Sequence, residues 1–107
     1  MELNQYSIVL VNLDPTTGSE IRKTRPCVII SPDEMNKFLK TIVVAPMTTT
    51  LKAYPTRVSV ESNGKKGMIV IDQVRTIDKQ RVLKVFDSLK QSEIDKCKEV
   101  LKETFVD

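Results

Sequence analysis

The residues best equipped for chemistry in this 107-residue chain stand close together near its start: Glu20, Arg22, Lys23 and Arg25 fall within six positions, and the last abuts Pro26. A proline fixes its own φ and restricts the residue before it, so Arg25 is predicted to sit on a fixed backbone at the opening of an apolar strand. A guanidinium held in that way can offer a planar fork of donors to a phosphate. The chain contains no histidine, which removes the commonest general base, the paired-imidazole route to RNA cleavage and any His-ligated metal centre. Chemistry here must run on arginine, carboxylate, hydroxyl or amide groups. Cys27 and Cys97 have neither a CxxC spacing nor a neighbouring imidazole to mark a metal site, and they read as two reduced, buried thiols.

These groups need a scaffold, and the hydrophobic patterning describes a mainly β one. Tyr6 to Leu13 (YSIVLVNL) reads as a first strand, and residues 16 to 25 as an exposed connection, long for so small a domain. Cys27 to Ser31 and Ile42 to Met47 are nearly continuous apolar runs of the kind that buried strands show. Between them DEMNKFLK is predicted to form one helical turn, a lid with Met35, Phe38 and Leu39 on the core edge. Arg57 to Glu61 alternates, Ser62 to Gly67 carries Asn63–Gly64 turn chemistry, and MIVID returns as the partner strand of a hairpin. VLKVF, near residue 85, gives one more strand. Ser92 and Asp95 have capping-box spacing, and Ile94, Cys97, Val100, Leu101 and Phe105 then recur at helical intervals, predicting a C-terminal helix with its apolar stripe on the core. Several short strands and one terminal helix predict a small closed or half-closed β-barrel.

Length and composition fit a single domain over residues 1–107, with 40% hydrophobic and 29% charged residues. A net charge of +3 permits an anionic partner without requiring one. No stretch approaches the roughly 20 apolar residues of a membrane span, and MELNQYS lacks the basic start of a secretory signal, so a cytoplasmic protein with no membrane partner is expected.

Three blocks, in order along the chain, resemble one family. The first is a D-P-x-x-G-x-E loop (Asp14, Pro15, Gly18, Glu20) leading through K-x-R-P (Lys23, Arg25, Pro26); the second is APMTT at residues 45 to 49; the third is GMIVIDQVRTIDKQR at residues 67 to 81. Together they resemble the MazF/PemK toxins of type II toxin-antitoxin systems. The resemblance implies an SH3-like or CcdB-like barrel with a C-terminal helix. It implies a sequence-specific endoribonuclease toxin that cuts single-stranded mRNA without metal or cofactor and so stops translation and growth. In that reaction the 2′-hydroxyl attacks the adjacent phosphorus, leaving a 2′,3′-cyclic phosphate and a 5′-hydroxyl. A homodimer with RNA in a groove across its interface, neutralised by an acidic antitoxin, is implied as well.

By the same resemblance Arg25 and Thr48 carry the core of the site. A guanidinium with a pKa above about 12 is a poor base but a good clamp for the developing phosphorane, and it can donate to the leaving oxygen. Thr48 can orient a non-bridging phosphate oxygen. Glu20 or Asp72 could accept the 2′-hydroxyl proton; equally, either could be an ion-pair partner of Arg22, Lys23 or Arg75. For RNA binding the match points to Ser19 and Lys23 in the first loop, to Thr49, and to Asp72, Gln73 and Arg75 in the third block. Ser19 stands where some relatives carry a His, and Val70 where some carry an Arg, so mechanisms resting on those groups do not transfer. The rival reading is a CcdB-like, non-enzymatic toxin that binds DNA gyrase. A peptide-binding SH3-like adaptor would need an aromatic-lined groove, and five aromatic residues are few to build one.

Overall fold

The computed structural model describes residues 2–21, 23–62 and 64–106, so that Arg22 and Asn63, named above, lie outside the described residues. The strands are β1 (Ser7–Asn12), β2 (Thr24–Ile29), β3 (Thr41–Thr48), β4 (Arg57–Ser62), β5 (Lys65–Val70), β6 (Arg75–Asp78) and β7 (Val82–Ser88). Two helices complete the fold, α1 (Asp33–Phe38) and α2 (Gln91–Phe105). Strands follow one another as β4-β5-β3-β2-β1-β7, every pairing antiparallel, with β6 against the first half of β3. The ends of this path, β4 and β7, do not pair with each other among the described residues, so the barrel is not closed.

The continuous apolar runs have a simple cause: the central strands bury both faces. Ile8, Val28, Ala45, Val58, Ile69, Cys97 and Val100 pack in one cluster beneath α2. Val9, Val11, Cys27, Ile29, Val44 and Ile77 pack in a second on the opposite face. Neighbours along a strand, such as Cys27 and Val28 or Val44 and Ala45, thus serve different cores, as the two-residue period of a strand demands.

Four local expectations need correction. In α1 the apolar residues do not cover the core: Phe38 is 77% exposed and Leu39 47%. What the lid buries is Asn36, whose Nδ2 donates to the Ser31 carbonyl (2.9 Å) while its Oδ1 accepts from the Ser31 hydroxyl, which itself accepts from Val43 N–H. A polar network therefore pins α1 to β3, and periodicity over six residues is too short to reveal it. At α2 the cap is not Ser92. The helix begins at Gln91, and the Glu93 carboxylate accepts the N–H of Lys90 and, across the fold, the N–H of Glu61, both at 2.9 Å. Phe105, assigned to the stripe, is 56% exposed, whereas Cys97 and Val100 are buried. Within the third block Arg75–Asp78 forms a further strand, β6, paired with Thr41–Val44. The β4–β5 connection is correspondingly tighter than expected, with strands reaching Ser62 and Lys65 and Gly64 at φ +76° in the turn.

Candidate active site

Two prolines make the opening in which the site lies. Pro26 and Pro46 lack the N–H that a sheet ladder needs. The β2–β3 ladder begins only at Cys27, paired with Pro46, while on its other side β3 hands Met47 and Thr48 to β5. The sheet thus parts beyond that pair. Continuing the β2–β3 register by two residues sets Arg25 across from Thr48. Arg25, Thr48 and Thr49 all line a groove of about 590 Å³ at this opening.

Arg25 is exposed on β2, where its backbone is fixed by pairing with Val11. Thr48 is half-buried, and its hydroxyl oxygen accepts the N–H of Thr50 at 3.2 Å. The hydroxyl proton stays available as a donor to a phosphate oxygen. The groove floor is apolar, formed by Ile8, Pro26, Met47 and Val60, and its walls carry Lys65 and Lys66 from β5 and Lys84, Phe86 and Asp87 from β7. None of these wall residues was singled out in sequence. They come from separate strands, and only the lysine pair at the hairpin gave any hint of a cationic wall.

A smaller depression of about 230 Å³ has four further candidates, Glu20, Asp72, Gln73 and Arg75, in its lining. Consecutive residues of β3 touch the two, Pro46 lining this depression and Met47 the groove. Its residues chiefly hold the β1–β2 loop in place. The Gln73 side-chain oxygen accepts Ile21 N–H at 2.9 Å, and Arg75 donates to the Leu13 carbonyl at 3.2 Å. Arg81, beyond them, donates to the carbonyls of Asn12 and Asp14. Within the loop the Asp14 carboxylate accepts the N–H of Lys23, which sits at φ 69°, and Glu20 accepts the N–H of Thr17. Asp72 accepts the hydroxyl of Thr56 at 2.8 Å. Among the described residues, neither Glu20 nor Asp72 is held in an ion pair; hydrogen bonds fix both. Ser19 and Lys23 are exposed on the loop and line neither depression.

Both thiols are buried and free. Burial pushes Cys27 up to about 12 against a smaller downward pull from the Arg75 guanidinium, and burial followed by the Glu93 carboxylate pushes Cys97 up to about 12. Neither is a nucleophile at neutral pH. Among the described residues no three His, Cys, Asp or Glu side chains converge to hold a metal ion. No described helix is long and apolar enough to cross a membrane.

The chain as a whole is similar to known proteins. A family profile described as PemK-like, MazF-like toxin of type II toxin-antitoxin system matches residues 4–105. The chain is similar to Endoribonuclease MazF of Staphylococcus epidermidis, at 33% identity over 98 residues that cover 86% of this chain and 82% of that protein. Among solved structures it is similar to MazF from Deinococcus radiodurans, with a TM-score of 0.84 at 22% identity over 94% of each chain. It is similar also to an endoribonuclease from a mycobacterial species in complex with its cognate antitoxin, with a TM-score of 0.80 at 18% identity over 94% of this chain and 91% of that one.

Proposed function

Because the chain belongs to the PemK-like, MazF-like toxin family of type II toxin-antitoxin systems, we propose that it is an endoribonuclease whose cut is made in the groove between Arg25 and Thr48. The observation that supports this reading is that an exposed arginine on a paired strand and a threonine hydroxyl line the same groove at one opening of the sheet, with lysines along its walls. The 2′-oxygen attacks the phosphorus and gives up its proton, a pentacoordinate phosphorane forms, and the P–O5′ bond breaks. The products are a 2′,3′-cyclic phosphate and a 5′-hydroxyl. Arg25 holds the charge of the phosphorane and hydrogen-bonds the departing O5′, which is protonated through that fork and the water around it. Thr48 donates to a non-bridging oxygen and fixes the phosphate for in-line attack. Glu20, which lines the smaller depression, takes the 2′-hydroxyl proton; Asp72, tied to Thr56, and Gln73 and Arg75, tied to the loop, position that loop.

On this reading residues 1–107 act as one toxin domain in the cytoplasm, cutting single-stranded mRNA at a preferred sequence and so inhibiting translation. It works as a homodimer and is neutralised by an acidic cognate antitoxin drawn to the cationic groove, a pairing supported by the mycobacterial relative solved with its own antitoxin. The test is Arg25→Ala. The substitution touches no core residue, so the variant should keep native circular dichroism while its cleavage of single-stranded RNA falls at least about a hundredfold. Near-normal cleavage by the folded variant would remove Arg25 from the chemistry.

A further inference from the structure

The strand that carries Arg25 leaves the β1–β2 loop through a neck that the backbone ladder alone does not close. Leu13 N–H donates to the Lys23 carbonyl at 2.9 Å, which makes Leu13 and Lys23 a hydrogen-bonded pair. In an antiparallel ladder such pairs recur every second residue, and Val11 with Arg25 is the next. The return bond of the outer pair is replaced by side chains. Lys23, at φ 69°, turns its N–H to the Asp14 carboxylate at 2.9 Å, and the Leu13 carbonyl accepts from Arg75 at 3.2 Å. A lysine keeps a left-handed backbone only where its surroundings fix it.

A further group closes the neck from across the fold. Arg81 ends the turn Lys79–Arg81 before β7, and its Nη1 donates to the carbonyls of Asn12, at 3.2 Å, and Asp14. The successive carbonyls of Asn12, Leu13 and Asp14 therefore all accept from guanidinium groups, and Arg25 lies one ladder step beyond. The sheet is irregular at this point: Leu10 pairs with Lys84 but Val11 with Val82, so Leu83 is an extra residue of β7. Such a bulge bends its strand and re-aims the side chains beside it, here toward the turn that ends in Arg81. Arg81 lines neither the groove nor the smaller depression, which leaves it to act through the backbone. We propose that Arg81 and Asp14 are positioning residues for Arg25: together they hold the neck, and with it the start of β2, in the one arrangement that keeps the guanidinium at the groove. The proposal rests on the reading of Arg25 as the group that holds the phosphorane.

The test couples a readout of the neck to one of the cut. Arg81→Met keeps the apolar stem and removes the donors, and Asp14→Ala removes the acceptor of Lys23 N–H. In each variant, native-state amide exchange at Lys23 and Arg25 should quicken about tenfold, while Val28 and Ile29, in the cores, keep native protection. On a short single-stranded RNA, kcat should fall about tenfold with KM within about twofold of native, because the charge that Arg25 holds develops in the transition state. Asp14→Asn, whose amide oxygen can still accept Lys23 N–H, should restore both readouts. In an Arg25→Ala background, Arg81→Met should change the single-turnover rate by less than about twofold, since groups that act as a unit do not add. Native kcat in a variant whose neck exchanges faster overturns the positioning role. So does a loss of rate that persists in full without Arg25. Faster exchange at the neck of a protein that cleaves no RNA removes the nuclease reading and keeps the clamp, whereas cleavage with neither exchange nor kcat altered in the variants does the reverse.

Discussion

Thr48 illustrates how much of a side chain's role is set by what already occupies it. Its oxygen accepts Thr50 N–H, which orients it, and because a neutral hydroxyl is too weakly basic to take a proton its useful act toward a phosphate is to donate. The proton of the 2′-hydroxyl therefore needs a carboxylate, and the choice lies among Glu20 and Asp72 in the smaller depression and Asp87 on the groove wall. Glu20→Gln should lower kcat at least about a hundredfold, whereas Asp72→Asn and Asp87→Asn should leave it near native. A loss of that size in Asp87→Asn alone would move the base to β7. At this scale sequence was informative where a residue's neighbours in the chain fix it, as Pro26 fixes Arg25. It was silent on Lys65, Lys84 and Asp87, because nothing local brings β5 and β7 to the same groove. Gln73 is the intermediate case: the resemblance pointed it toward RNA, but in the fold its oxygen is engaged by Ile21 N–H.

Strands set the site through small clearances. Thr48 pairs with Met68, and a Cβ built on Gly67 would lie 3.2 Å from the Thr48 carbonyl oxygen, closer than such contacts comfortably come. Gly67 therefore owes its identity to this approach, since its φ is not in the left-handed region. Gly67→Ala should push the end of β3 by a few tenths of an ångström and misplace the Thr48 hydroxyl. Steady-state kinetics should show kcat reduced about tenfold with KM little changed, in a variant that melts near the native temperature. The elements themselves were largely legible, since alternation and buried apolar runs mark β1 to β5 and β7, and the terminal helix follows its stripe. Elements set by long-range hydrogen bonds were not. The Ser31–Asn36 network of α1 and the Glu93 cap that also ties Glu61 depend on partners that only the fold supplies.

The molecule as a whole rests on two cores on opposite faces of one open sheet, each with a buried thiol: Cys97 in the first and Cys27 in the second. In the unfolded chain these thiols ionise near their ordinary value of 9.0, while folding holds their protons until about 12. The unfolded state then binds fewer protons than the native one, so stability is undiminished below pH 9.0 and falls as pH rises from there toward 12. Urea midpoints taken on both sides of pH 9.0 should show this decline, and Cys27→Ala/Cys97→Ala should decline less. The central claim concerns the groove that these cores hold open, and product chemistry tests it most directly. Purified protein incubated with end-labelled single-stranded RNA in excess EDTA should yield fragments with 2′,3′-cyclic phosphate and 5′-hydroxyl ends. Intact RNA under those conditions, together with trapping of DNA gyrase on DNA, or fragments bearing 5′-phosphates, would contradict the account.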